Sequence, residues 1–138
     1  MTPVEQQRQL QLIWAAMLGA VALYGVVCAV AVGAPDGEPA AEAAGVRYGF
    51  SVVAIVLGGL SAWCRRRFLA ADATLGLARI QVQAVVVWAL SEAVGLCGVA
   101  TAVLTREARE FPPFGAAATA LLFLHRPSNL PRADAPPQ

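Results

Sequence analysis

One residue of this chain stands out as able to do chemistry: a carboxylate inside an apolar run. Residues 80–104 (IQVQAVVVWALSEAVGLCGVATAVL) hold a single acid, Glu92, the thirteenth of the 25. If the run crosses a bilayer, Glu92 lies near the midplane, where an ionised acid costs on the order of 3 kcal/mol or more. Three uses fit such a residue. Poised between neutral and ionised forms, it takes up and releases a proton. Surrounded by hydroxyls and carbonyls, it coordinates Na⁺. Kept protonated, it hydrogen-bonds a neighbouring helix and acts as glue. Ser91 supplies the adjacent hydroxyl, so Ser91 and Glu92 form the candidate proton- or ion-binding pair, although consecutive helical side chains diverge by about 100°. No Arg lies in an apolar run and the chain has no Lys, so no counter-charge is at hand. Gln81 and Gln83 sit two to three turns away and read as interfacial amides.

Other reactive residue types are sparse. Cys28, Cys64 and Cys97 are scattered without a CxxC, and the single histidine, His125, lies in a different segment from all of them. Neither a metal site nor a disulfide framework nor a cofactor is expected, and the cysteines read as small buried hydrophobes.

The elements that position Glu92 follow from composition. Of 138 residues, 58% are hydrophobic and 14% charged, with a mean hydropathy of +0.61; a soluble domain carries roughly a quarter charged. This predicts an all-α polytopic membrane protein whose solvent is the lipid bilayer, with no room for a soluble catalytic domain, so it is not expected to be an enzyme. A net charge of +1 forms no basic domain, which sets nucleic acid aside.

Four spans are expected, at about 10–32, 48–64, 80–104 and 111–125, in a single domain covering 1–138. The first exceeds the 7–15 apolar residues of a signal peptide and has only Arg8 as a charged n-region, so it reads as a retained span. Residues 33–47, with Pro and Gly, read as a loop. The fourth is apolar for only 11 residues, 114–124, after Pro112 and Pro113, which suit a first helical turn. It spans if the bilayer thins or the helix tilts or extends, and is otherwise re-entrant or interfacial. Residues 126–138, rich in Pro, read as a disordered tail.

Lipid gives helices no hydrophobic reason to associate, so small residues let backbones approach. The second span offers Ala54, Gly58 and Ala62, the first Gly25, Ala29 and Gly33, and the third Ser91, Gly95, Gly98 and Ala102. These faces are expected to pack helices within the chain, in a homo-oligomer, or against other membrane subunits. Arginine count orients the chain. With four spans, Arg8, Arg65, Arg66, Arg67, Arg79, Arg126 and Arg132 share one side, against Arg47, Arg106 and Arg109. Positive loops stay inside, so both termini are expected in the cytoplasm and the protein in the inner (cytoplasmic) membrane.

Residues 48–104 resemble the hairpin of the proteolipid c subunit of rotary ATP synthases and ATPases. The likeness rests on a small-residue helix, an arginine-containing loop, and a second helix with a mid-membrane acid in Ala89-Leu90-Ser91-Glu92-Ala93-Val94-Gly95-Leu96-Cys97-Gly98. It covers about 40% of the chain. It implies a proton-carrying Glu92 and a ring with the second span as inner wall. Cys97 stands where sodium-binding relatives place Tyr, favouring H⁺. The inner helix has only Gly49, Gly58 and Gly59, and the loop lacks the family's Arg-Gln-Pro or Arg-Asn-Pro turn. Residues 19–30 also echo 92–103 at seven of twelve positions, with Gly19 opposite Glu92. The competing expectation is a non-transporting accessory or structural subunit with Glu92 as interhelical glue.

Overall fold

In hydrocarbon a backbone must satisfy its own hydrogen bonds, which leaves helices as the solution for apolar runs of this length. The computed structural model describes residues 3–32, 43–70 and 77–129, and among them every regular element is helical. Helix α1 spans Pro3–Ala31, α2 Ala43–Ala70, α3 Leu77–Thr105 and α4 Phe111–Leu124; two short 3₁₀ turns, Ala108–Glu110 and Pro127–Asn129, flank α4. The chain is an all-α polytopic membrane protein. Segments Gln7–Ala31, Ala43–Arg67 and Gln81–Thr105 are each long and apolar enough to cross a bilayer.

Helix boundaries depart from the apolar runs. Helix α2 begins at Ala43, so Arg47, expected in a loop, lies in its second turn, and it continues through Arg65, Arg66 and Arg67. Charges end an apolar run, but they do not end a helix. The acidic residues Asp36, Glu38 and Glu42, and Gly33, lie outside the described residues. The irregular tail expected from 126 onward opens with the turn Pro127–Asn129 beside α1; residues 130–138 lie outside the described set.

Helix α3 is the hub. Half of its apolar window is buried inside the protein, against 11% for α1 and for α2, so those two present most of their surface outward. Helix α2 packs on one side of α3, while α4 wedges beside α3 and α1. Small residues on α3 allow the wedge: an added Cβ on Gly98 would lie 2.6 Å from Phe114 Cβ, and one on Gly95 3.5 Å from Ala118 Cβ. Phe111, Gly115, Ala118 and Leu122, at steps of three and four, form the buried face of α4. Phe111 also packs 3.1 Å from the Cβ position of Gly25 on α1.

The connection between α3 and α4 is tight. Arg106 adopts φ 55°, Glu107 N–H donates to Ala102 O at 3.0 Å and Arg106 N–H to Val103 O at 3.4 Å, which is the Schellman pattern that satisfies the last carbonyls of a helix. Five residues then separate α3 from α4, and Pro112 and Pro113 open α4 at positions where no intrahelical N–H is needed.

Helix α4 is short. Its 14 residues extend about 21 Å, less than the roughly 30 Å of hydrocarbon. Its C-terminal cap, His125, lies beside Trp88, close to the middle of α3, and beside Ser61 of α2.

Candidate functional site

Two consecutive residues of α3 tie together all four helices. Ser91 and Glu92 face different neighbours, as helical geometry requires. Toward α1, Tyr24 Oη donates to Glu92 Oε1 at 2.6 Å. Toward α2 and α4, Ser91 Oγ donates to Val87 O at 2.9 Å and lies 3.1 Å from Ser61 Oγ, which lies 3.2 Å from His125 Nε2. Ser61, Ser91 and His125 are all buried, whereas Glu92 is half-buried. The expected Ser91–Glu92 pair therefore separates into two clusters. Glu92 gains a phenol, and Ser91 joins a hydroxyl–imidazole chain.

The second cluster closes the end of α4. A helix leaves its last four carbonyls without intrahelical partners, and in hydrocarbon no water meets them. Here His125 N–H donates to Leu121 O at 3.0 Å and Arg126 N–H to Phe123 O at 3.3 Å. Two indoles add donors: Trp14 Nε1 donates to Leu122 O at 2.8 Å, and Trp88 Nε1 to His125 O, just past the helix, at 2.7 Å. Trp14 is further held edge-on against Phe123, with ring centroids 5.6 Å apart.

The packing residues read from sequence divide by role. Ala54, Gly95 and Gly98 are buried within the chain, Gly58 lies against Leu121 of α4, and Ala62 is half-buried beside Ser61. On α1, Gly25 meets Phe111 while Ala29 faces outward. All three cysteines are buried and free. Of the two amides expected at the interface, Gln81 lines an open crevice of about 310 Å³ between α1 and α3, together with Gln9, Leu10 and Ile13. Gln83 is half-buried, with its Oε1 enclosed and unpartnered.

At the opposite end of the bundle from Arg65 lies an ionic clasp. Glu107 Oε2 contacts Arg47 Nη2 at 2.9 Å and Arg109 Nε at 2.7 Å, and Arg47 Nε contacts Glu110 Oε1 at 3.0 Å. The Arg109 hydrogen bond, helped by the charge of Arg47 and opposed by burial, holds the Glu107 carboxyl below its ordinary range. This joins the start of α2 to the α3–α4 connection.

Tyr24, Ser61, Trp14, Trp88 and His125 were not singled out as functional from the sequence. A hydroxyl or imidazole within an apolar run is itself the available signal, because such groups seek partners across helices. Among the described residues, no group of three His, Cys, Asp or Glu side chains is arranged to hold a metal ion.

No family model, curated protein or solved structure matches this chain. The likeness to the proteolipid hairpin thus rests on the residues quoted for it; α2 packs on α3, and α1 and α4 also pack on the acid-bearing helix.

Proposed function

We propose that this protein is a non-transporting, non-catalytic accessory or structural subunit of a larger membrane complex, in which Glu92 binds α1 to α3. The observation that carries this reading is the 2.6 Å hydrogen bond from Tyr24 Oη to Glu92 Oε1. It engages the acid inside one chain, where a ring-forming proteolipid would present it on an outer wall. Partners in this reading are other membrane-embedded helices, from a second copy or from other subunits. Both termini and the arginine-rich 65–79 loop face the cytoplasm across the inner membrane, following the arginine bias. Labelling of Arg66→Cys from the periplasmic side would overturn that orientation.

The second reading is proton carrying through Glu92 in an oligomer, and it is favoured by one observation: the carboxyl is only half-buried. Substitution separates the two. Glu92→Gln keeps shape and hydrogen bonding but removes titration. In the structural role it assembles normally and leaves any proton-coupled activity of the complex intact, while Glu92→Leu lowers the thermal midpoint in detergent. Tyr24→Phe should cost about 0.6 kcal/mol, the average for hydrogen bonds between membrane helices, and no more than about 1.7 kcal/mol. If Glu92→Gln assembles yet abolishes proton flux by the assembled particle, the structural role is wrong and the carrier reading stands.

A further inference from the structure

Helix α4 ends at the level of Trp14 and Trp88, whose indoles meet Leu122 O and His125 O. Closer to the arginine end, α1 and α3 run on without it, and there the crevice of about 310 Å³ opens between them. Every residue lining it precedes Trp14 on α1 or Trp88 on α3. The crevice therefore occupies a depth that α4 does not reach.

Its polarity is ordered by depth. Gln9 and Gln81 are the outermost lining residues of their helices, at the start of the apolar segments Gln7–Ala31 and Gln81–Thr105. Leu10, Ile13, Val82, Val85 and Val86 form the rest of the lining. Ile13 and Val85 each stand one turn past an amide, about 6 Å deeper into the hydrocarbon. Amides at the interface thus lead into an aliphatic interior. The volume is at the low end of the roughly 300–1,000 Å³ of small-molecule sites, which are likewise mostly apolar with a few polar groups that fix orientation.

A helix of another chain fits this crevice poorly. Helices in lipid approach closely through Gly, Ala, Ser and Thr, and no lining residue is of these types. Branched aliphatic walls leave room for a thin, flexible chain instead.

We propose that the crevice holds one acyl chain of a glycerophospholipid from the arginine-side leaflet, with the carboxamides of Gln9 and Gln81 donating to its ester carbonyls. Donors and acceptors match, because an ester carbonyl only accepts and each carboxamide carries two N–H donors. Arg8, exposed and next to Gln9, adds positive charge at headgroup level, which favours an anionic lipid. The site is independent of the role assigned to Glu92.

The test uses the full-length protein reconstituted with diacyl phosphatidylglycerol, re-extracted in detergent and washed, then weighed by native mass spectrometry. One lipid per chain is expected to survive the wash. Val86 is 42% exposed, so Val86→Trp should fold while its indole fills the crevice, and retention should fall at least about tenfold. Ile55→Trp, on α2 at a position 74% exposed, should retain the lipid as the wild type does. A dialkyl ether analogue lacks the carbonyls and should be held roughly fivefold or more weakly by the wild-type protein. No retained lipid in the wild type, or retention undiminished in folded Val86→Trp, overturns the proposal, and so does loss in both Trp variants. Equal retention of ester and ether lipids overturns the role of the amides and needs no variant. A wild-type dimer without lipid, split by Val86→Trp, would put a second chain in the crevice and overturn it too.

Discussion

At the scale of residues, close approach is concentrated at Gly98. Its added Cβ would meet the Cβ of Phe114 at 2.6 Å, an atom fixed to the α4 backbone. Gly98→Ala should therefore force α3 and α4 apart and destabilise the protein by roughly 1–3 kcal/mol in a reversible unfolding assay. Gly59 on α2 has open space around it, and Gly59→Ala should change stability by less than about 0.5 kcal/mol. Equal effects at the two positions would remove the packing argument. The sequence marked Gly98 through its spacing with Ser91, Gly95 and Ala102. It also marked Glu92, because a lone acid in an apolar run is conspicuous whatever surrounds it. The partner of Glu92 was not legible: Tyr24 lies 68 residues away, and depth along two helices does not say which faces meet. Ser91 was grouped with Glu92 by adjacency, with about 100° between consecutive helical side chains already standing against direct contact; Ser91 lies against Ser61 and Glu92 against Tyr24.

At the scale of elements, three spans were readable because 17 or more apolar residues leave few alternatives. The fourth was expected as a short span, with a re-entrant or interfacial piece as the alternative, since 11 apolar residues fall short of the roughly 20 a helix needs to cross. Its resolution depends on how a helix end can survive in lipid, and that answer is held by other helices. Trp14 from α1 and Trp88 from α3 donate to Leu122 O and His125 O. A tryptophan in an apolar run carries no mark of what its N–H will find. Trp14→Phe keeps an aromatic ring beside Phe123 and loses the donor, leaving Leu122 O unpaired at a cost of about 1–3 kcal/mol. Amide hydrogen exchange should accelerate across residues 121–126 and stay unchanged in α2. Uniform acceleration through all four helices would mean that the indole holds the whole bundle rather than the end of α4.

At the scale of the molecule, the ionic clasp of Arg47, Glu107, Arg109 and Glu110 couples stability to pH. Because the Glu107 carboxyl is held below its ordinary value, its contribution is present above the unfolded value, about 4.3, and is lost as pH falls through the lower folded value. Thermal midpoints in detergent should drop between pH 5 and 3, and Glu107→Gln should flatten that slope; a slope preserved in the variant would assign it to other carboxylates. The clasp was invisible in the sequence because Arg47 sat in a segment taken as loop, sixty positions from Glu107. The shortness of α4 has its own consequence at this scale. Set across a bilayer, the described helices would displace one leaflet with four cross-sections and the other with three, so the described bundle narrows toward the arginine end. A tapered inclusion does not sit indifferently in a flat sheet: it lowers its energy where the leaflet around its broad end is stretched. Curvature of the bilayer is then expected to influence where such a bundle sits.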